Sequence, residues 1–302
     1  MTVMTVLGPV PAAALGHVQA HEHVLLDLGR APYRWDTEGL LDDVAVAGEE
    51  LQAYRAAGGT TLCELTTPDL GRDPDGLRRA AIASDVQVVM GCGWYRGPYY
   101  PAALDLRSTA ELTRELVDEI EHGGESGIRP GIIGEIGSDK ARLTGLEERV
   151  FRAAGRAQAK TGLALMTHTP SGGAMAQLEI LAESGADPRR VAVGHSDALL
   201  DRDYHDAIHR WGAYLSIDLV GLRVYPDDRR ARHVADLIKA GFLEALLLST
   251  DICHRSRLRA WGGPGYQFLL EDFLPRLRAL GVSDAEIAVM TVDNPRRFLA
   301  GE

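Results

Sequence analysis

Hydrophobic positions along the chain form short continuous runs, several rich in β-branched residues, separated by longer stretches in which apolar residues recur at helical spacing. Such runs predict strands that are buried on both faces, as in a parallel sheet. Eight runs are present, at residues 18–23, 60–65, 86–92, 131–136, 163–168, 191–195, 213–217 and 245–250. The stretches between and after them predict helices at residues 40–57, 75–84, 109–122, 145–161, 175–184, 201–211, 229–240 and 267–280.

Regular alternation of strand and helix in a chain of 302 residues predicts one domain, residues 1–302, folded as a (β/α)8 TIM barrel. Residues 1–17 alternate weakly and contain a Gly-Pro turn, which predicts a short β-hairpin before the barrel. A doubly wound open sheet is the alternative. That fold usually carries a glycine-rich phosphate turn after its first strand, where this chain reads HEHVLLD.

Composition narrows the class of protein. The net charge is −11 and the basic residues are scattered, so the field of the protein would repel a polyphosphate and no nucleic-acid partner is expected. Cys63, Cys92 and Cys253 lie far apart without CxxC spacing and predict reduced thiols. We find no signal-peptide pattern and no membrane-spanning run. We therefore expect a cytoplasmic protein that acts on a small molecule and has no membrane partner.

Side chains able to bind metal ions stand at the C-terminal ends of the predicted strands, where the active sites of barrels lie. The first strand ends in His21 and His23, and residues two apart share one face of a strand. Four later strands contribute one side chain each, namely Glu135, His168, His195 and Asp251.

Each of these residues also has a simpler explanation, because single histidines are commonly hydrogen-bonded core residues and Asp251 could cap a helix. Six such residues, all at the ends of predicted strands, favour a metal site. Four histidines and two carboxylates exceed the ligands of a single zinc ion, so the sequence predicts two divalent ions that share one carboxylate. Imidazole and oxygen ligands suit zinc, which we expect first, and also manganese, cobalt or iron.

The chain resembles the phosphotriesterase-like group of the amidohydrolase superfamily over nearly its whole length. The resemblance lies in HEHVLLD, TTPDLGRD, GCGWY, GEIGSD, THT, GHSD, STDIC and the closing DNPRRF. The chain is most similar to the branch called phosphotriesterase homology proteins, in which the bridging ligand is a glutamate, whereas many relatives have a carboxylated lysine. Glu135 stands at this position.

The resemblance implies a ligand assignment and, as a family expectation, a homodimer. His21, His23 and Asp251 would hold the more buried ion, His168 and His195 the more exposed one, and Glu135 both. The chain departs from many relatives at Glu64, which replaces an aspartate and puts in doubt a contact beside the ligands. The loops after the seventh and eighth strands, which select the substrate in this family, match no member of assigned substrate.

Two ions close together lower the pKa of a water between them, so a bridging hydroxide becomes the nucleophile. Asp251 is the expected proton acceptor, and Tyr95 is expected to donate a hydrogen bond to the substrate oxygen. The alternative for Tyr95 is packing on the barrel rim.

The expected function is metal-dependent hydrolysis of a lactone or carboxylic ester. An amide, N-acyl or phosphotriester hydrolase is the alternative within the same chemistry, and an inactive metal-binding or ligand-binding module is the alternative of another class.

Basic and aromatic residues of the substrate loops predict recognition of a phosphate or carboxylate tail, because arginine binds such groups bidentately. The candidate substrate residues are Trp94, Arg223, Tyr225, Arg255, Arg257 and Tyr266. The alternative is that most of the arginines pair with Asp227, Asp228 or Glu271 on the rim.

Overall fold

A computed structural model describes residues 1–34, 37–169, 172–222 and 225–302 of the protein. In chain order, the strands among these residues are β1 (Thr2–Thr5), β2 (Gly8–Pro11), β3 (Val18–Glu22), β4 (Leu26–Asp27), β5 (Leu40–Leu41), β6 (Thr61–Glu64), β7 (Gln87–Met90), β8 (Ile132–Gly137), β9 (Ala164–His168), β10 (Val191–Val193), β11 (Tyr214–Ile217) and β12 (Leu246–Leu248). The α-helices are α1 (Val44–Ala56), α2 (Pro74–Ser84), α3 (Thr109–His122), α4 (Gly145–Thr161), α5 (Ala174–Glu183), α6 (Arg202–Arg210), α7 (Asp227–Lys239), α8 (Leu274–Ala279), α9 (Asp284–Ala288) and α10 (Asn294–Ala300).

Eight of the strands form a closed parallel barrel. Strands β8 to β12 pair in chain order, and β3, β6 and β7 form a second parallel group. Backbone hydrogen bonds join the two groups at both edges, because the N–H of Gly131 donates to the carbonyl of Met90 at 2.9 Å and that of Asp251 to the carbonyl of His21 at 3.2 Å. The predicted (β/α)8 barrel is therefore confirmed.

The predicted N-terminal hairpin is also present. Strands β1 and β2 pair antiparallel, with Thr5 opposite Gly8. Gly8 has a φ of +109°, a conformation that favours glycine at the turn. The N–H of Val6 donates to the carbonyl of Val88 in β7 at 2.9 Å, which holds the hairpin against the N-terminal side of the barrel.

Two helices differ from the sequence prediction. Helix α1 begins at Val44 rather than at residue 40, because the Asp43 side chain accepts the backbone N–H of Ala45 at 2.9 Å and caps the helix there. The preceding Leu40–Leu41 pairs with Leu26–Asp27 as a small antiparallel ribbon.

The helix predicted at residues 267–280 is not regular. Leu269–Phe273 forms a wide π-helical turn before α8. Pro275 has no N–H and its ring crowds the carbonyl four residues earlier, so a regular α-helical turn cannot form there. Helices α9 and α10 follow beyond the predicted elements. None of the described helices combines the length and hydrophobicity that crossing a membrane requires.

The apolar core lies in two layers. Ala20, Ile132 and Met166 lie together in the barrel interior, whereas Leu116 of α3 and Phe151 of α4 belong to the layer that contains the helices. Apolar side chains fill the barrel interior toward the N-terminal ends of its strands. Buried polar side chains can therefore gather at the C-terminal ends.

Candidate metal centre

The side chains predicted to bind metal converge at the C-terminal end of the barrel. They are carried by β3, β8 and β9 or lie one to three residues after β3, β10 and β12. The most exposed of their side chains is that of His168, at 20%. The residues brought together are His21, His23, Glu135, His168, His195 and Asp251.

Irregularities in β8 and β3 determine the direction in which their predicted ligand side chains point. Ile132 of β8 lies in the barrel interior, so in a regular strand Glu135, three residues later, would point outward. The register between β8 and β9 shifts by one residue between Ile133 and Ile136, and Glu135 reaches the histidines inside the barrel. The same shift occurs between Gln19 and Glu22 of β3, a span that contains His21 and ends one residue before His23.

Two of the predicted ligands have left-handed backbone conformations. His195 has a φ of +55° and Asp251 a φ of +46°, values that are uncommon outside glycine and that concentrate at functional sites. Buried carboxylates hold both positions. Asp218 accepts the backbone N–H of His195 at 3.0 Å, and Glu22 accepts those of Thr250 and Ile252, on either side of Asp251.

The ligand atoms form two groups. In the first, Nε2 of His23 lies 3.4 Å from Oδ1 of Asp251, and Nε2 of His21 lies 3.7 Å from the same oxygen. In the second, Nδ1 of His168 lies 2.9 Å from Nε2 of His195. Each group, with Glu135 counted in the second, has three donor atoms within 4.8 Å of one another. Spacing of this kind suits a metal ion in each group.

Glu135 lies between the two groups. Its Oε1 is 3.4 Å from Nε2 of His23, and its Oε2 is 3.2 Å from Nε2 of His21 and 3.1 Å from Nδ1 of His168. One carboxylate therefore faces both groups, as a bridging ligand would.

Asp218 was missing from the sequence prediction. Its Oδ2 lies 2.9 Å from Nδ1 of His21 and its Oδ1 lies 2.8 Å from Nδ1 of His195, so it accepts a hydrogen bond from one ligand of each group. Both bonds leave Nε2 of the ring free to bind a cation. A signal was available, because Asp218 directly follows the seventh barrel strand, for which no side chain had been assigned.

Thr66 orients His23 in a similar way. Its hydroxyl lies 3.0 Å from Nδ1 of His23 and itself donates to the carboxylate of Glu64. Glu64 therefore contacts the residue that orients His23.

Burial and neighbouring charges shift the pKa values of the predicted ligands. Burial lowers the pKa of His23 and His195, but Asp251 and Glu135 raise that of His23 to about 10, and Asp218 raises that of His195 to about 9. Burial raises the pKa of Glu135, and the charges of His21 and His168 bring it well below its ordinary value. The carboxylates thus favour protonation of the imidazole rings of His23 and His195. A metal cation that bound there would take the place of those protons.

One orphaned atom tests whether a metal ion fits. Nε2 of His21 is fully buried and has no hydrogen-bond partner among the described residues, although Oε2 of Glu135 is only 3.2 Å away. Two donor atoms that lie this close without forming a hydrogen bond are suitably placed to bind the same metal ion. Imidazole and carboxylate donors suit a divalent ion, so the residues fit the two predicted sites.

The two aromatic candidates of the GCGWY segment lie differently. The hydroxyl of Tyr95 is 3.2 Å from Nδ1 of His168, so Tyr95 adjoins the second group. Trp94 is 7% exposed and packs in the apolar core around the helices. The structure brings Tyr95 to the site and leaves Trp94 in a packing role.

Several substrate candidates are engaged elsewhere. Tyr266 is buried and donates its hydroxyl to the carbonyl of His23 at 2.6 Å. Arg255 donates to Asp42 at 3.0 Å and to the carbonyl of Leu40 at 2.6 Å. It does not pair with Asp227, Asp228 or Glu271 among its described contacts.

The other rim residues complete this picture. Arg229 lies over the ring of Tyr225. Asp227 pairs with Arg230 and Asp228 pairs with Arg276. Arg223 lies outside the described residues, and Arg257 donates to the carbonyl of Val220 at 3.1 Å.

A family model described as the phosphotriesterase family matches residues 1–299. The chain belongs to the phosphotriesterase family. Members are metal-dependent hydrolases with a (β/α)8 barrel and a binuclear centre. The resemblance inferred from the motifs is thereby confirmed.

A relative from Escherichia coli supports the assignment to this family. The phosphotriesterase homology protein of Escherichia coli strain K12 is 36% identical over 286 residues, which cover 94% of this chain and 97% of that protein. Its crystal structure, complexed with phosphate in the active site, matches with a TM-score of 0.91 over 95% of this chain and 99% of that chain.

More distant relatives have two named activities. An N-acetyltaurine hydrolase of Dictyostelium discoideum is 33% identical over 279 residues, covering 86% of this chain and 74% of that protein. The crystal structure of a lactonase from Listeria monocytogenes is 25% identical, with a TM-score of 0.91 and 99% of both chains covered. The family therefore contains proteins named for opening esters and proteins named for opening amides.

Proposed function

We propose that this protein hydrolyses a carboxylic ester, in particular a lactone, with two divalent ions held around Glu135. When bound, two such ions polarise the carbonyl oxygen and lower the pKa of an intervening water to about 7, which supplies a nucleophile at neutral pH. His21, His23 and Asp251 would hold one ion and His168 and His195 the other. Glu135 would bind both.

The observation that carries this proposal is the position of Glu135, whose two oxygens face histidines of both groups at 3.1 to 3.4 Å. A protein that only bound a ligand would have no need for two cation sites that share one carboxylate. The lactonase and hydrolase relatives support hydrolysis as the reaction class.

Asp251 is proposed as the proton acceptor. Burial raises its pKa, but the hydrogen bond with His23 and the charges of His21 and His195 bring the pKa below its ordinary value. An ionised carboxylate beside the attacking water can take its proton and pass it to the leaving group.

Tyr95 is proposed to bind the substrate oxygen. Burial raises the pKa of its hydroxyl well above 10, and the nearby charge of Glu135 acts in the same direction. The hydroxyl therefore keeps its proton at neutral pH and can donate a hydrogen bond to a carbonyl beside His168.

Zinc is the proposed metal, with manganese, cobalt and iron as alternatives, because the donor set contains imidazole and carboxylate but no thiolate. The cytoplasmic location, the homodimer and the absence of nucleic-acid and membrane partners remain predictions from the sequence.

Hydrolysis of an N-acyl amide is the second candidate. The N-acetyltaurine hydrolase relatives favour it, since the groups that polarise an ester carbonyl also polarise an amide carbonyl. The poorer leaving group of an amide makes protonation by Asp251 more important in that reaction.

A substrate panel with added zinc, manganese or cobalt tests the proposal. It contains lactones, aryl esters, N-acyl amino sulfonates and a phosphotriester, each assayed with the wild-type protein and with Glu135→Ala. We expect metal-dependent turnover of lactones or esters, lowered about 100-fold or more in Glu135→Ala together with a lower metal content.

Faster turnover of the amides than of the esters would favour the second candidate. Silence of the metal-loaded wild type on every substrate would instead favour a ligand-binding module. Turnover in Glu135→Ala close to that of the wild type would remove Glu135 from the centre.

A further inference from the structure

Arg257 is a buried arginine beside the proposed catalytic site. It lies in the segment that follows Asp251, and its side chain reaches the loop after β11, where Nη2 donates to the carbonyl of Val220 at 3.1 Å. Only 9% of the residue is exposed. Val220 lies two residues after Asp218, which accepts hydrogen bonds from His21 and His195, so the guanidinium reaches a loop that adjoins the centre.

Most of the donors of this guanidinium are unused. Nε and Nη1 are buried and have no hydrogen-bond partner among the residues that the structure describes. A buried guanidinium with a single hydrogen bond to a carbonyl is unfavourable, because it has lost the hydration of its charge and gained little in return. The arrangement therefore indicates a binding partner that is not part of the described chain.

The carboxylates whose charges act on Arg257 are bound by other groups. Glu22 accepts hydrogen bonds from Ser249, Thr250 and Ile252. Asp227 accepts the N–H of Gly221 and pairs with Arg230. Asp251 faces the histidines of the centre. None of these carboxylates is free to turn toward Arg257 without breaking its existing contacts.

The surroundings hold the side chain in place. The backbone carbonyl of Arg257 accepts the N–H of Gly265 at 2.9 Å. A Cβ at Gly221 would lie 2.8 Å from Nη2 of Arg257 and 2.9 Å from the ring of Phe268, so glycine permits the close approach. A rigid fork beside a reaction centre is preorganised to bind two oxygens of an anion.

We infer that Arg257 binds an anionic carboxylate or phosphate group at the end of the substrate remote from the scissile carbonyl. The inference rests on the proposed function for the identity of the reacting group. It assigns to this protein substrates that carry a negative charge, and to Arg257 the selection between anionic and neutral substrates.

A matched pair of esters tests this assignment. The para-nitrophenyl monoester of adipic acid and para-nitrophenyl hexanoate differ only in a terminal carboxylate. We expect the ratio of kcat/KM for the anionic to the neutral ester to fall roughly tenfold or more in Arg257→Met, with an intermediate ratio in Arg257→Lys, which keeps the charge but loses the fork. Arg259→Met, an exposed arginine on the same segment, is the control and should keep the wild-type ratio.

Binding without turnover gives a second readout. The ketones 6-oxoheptanoate and 2-heptanone, and the phosphate ester of 5-hydroxy-2-pentanone, carry a carbonyl that cannot be hydrolysed. Calorimetric titration of the metal-loaded protein should show binding of the anionic ketones weakened roughly tenfold or more in Arg257→Met. Comparison of the two anionic ketones distinguishes a carboxylate site from a phosphate site.

Thermal unfolding separates recognition from a structural role. Because Arg257 leaves buried donors unpaired, Arg257→Met should unfold at the same temperature as the wild type or higher when no ligand is present. An unchanged preference for the anionic ester and ketones in Arg257→Met, or weakened folding with no change in preference, would overturn the inference while the proposed hydrolysis stands. The wild type could instead hydrolyse no ester while Arg257→Met binds the anionic ketones more weakly than the wild type does. That result would support the assignment of Arg257 as an anion-binding residue and contradict the proposed function.

Discussion

Asp218 shows how one residue can act on both predicted metal sites. It accepts hydrogen bonds from His21 and His195, one ligand of each group, and also from the backbone of His195. Burial raises its pKa, but the two histidines bring the pKa well below its ordinary value, so it stays ionised. A charged acceptor behind an imidazole fixes the orientation of the ring and strengthens its remaining nitrogen as a ligand.

We predict that Asp218→Asn weakens the binding of both ions by about 10-fold to 100-fold, because an amide cannot accept from both rings and carries no charge. Metal content after dialysis against a chelator, and calorimetric titration with zinc, measure the change. Asp69→Asn is the control, since Asp69 is buried at the same end of the barrel but accepts from Thr67 and the backbone of Tyr95. Loss of only one ion, or unchanged affinity, would contradict the shared role.

At the scale of elements, the contact between β3 and β12 closes the barrel and positions Asp251. Glu22 in β3 is fully buried and accepts hydrogen bonds from the hydroxyls of Ser249 and Thr250 at 2.7 Å and from the backbone of Thr250 and Ile252. Glu22, which lies between the predicted ligands His21 and His23, therefore holds the segment that follows β12.

Glu22→Gln should lower the free energy of unfolding by about 2 kcal/mol or more, because the amide group would face a buried donor. Calorimetric unfolding of the metal-loaded proteins gives the comparison. Glu50→Gln serves as the control, since Glu50 is also buried but accepts the N–H of Ala260 away from this contact. Equal losses in both variants would show that Glu22 has no special part in closing the barrel.

At the scale of the molecule, the predicted ligands join strands that are far apart in the chain. The ions would connect β3, β8, β9 and the residues after β10 and β12. Cations that bind the folded barrel but not the unfolded chain stabilise the whole fold.

We predict that removing metal with a chelator lowers the temperature of unfolding and that zinc or manganese restores it. The stabilisation should be about 4 kcal/mol per site when the free metal is 1,000 times its dissociation constant. Glu135→Ala should respond much less, because it lacks the ligand that both sites share. The same unfolding temperature with and without metal would exclude a contribution of the ions to the fold.

The amino-acid sequence was sufficient to predict the architecture. Alternation of buried strands with amphipathic helices depends on local periodicity, and eight repeats predicted the closed barrel and the end at which the ligands gather. The hairpin at residues 1–17 followed from turn residues. Helix boundaries were less predictable, because the cap at Asp43 and the wide turn before Pro275 depend on single side chains within an otherwise periodic pattern.

Only the tertiary structure decided how the ligands are aimed and supported. Regular alternation would point Glu135 away from Ile132, and the extra residue in β8 that reverses this has no local pattern in the sequence. Asp218 contacts histidines 197 and 23 residues away, so its role follows from the closure of the barrel. Arg255 and Arg257 are two residues apart in one segment, yet Arg255 pairs with Asp42 while Arg257 keeps buried donors unpaired. Burial and partners distinguish these residues, and both arise only when distant segments pack together.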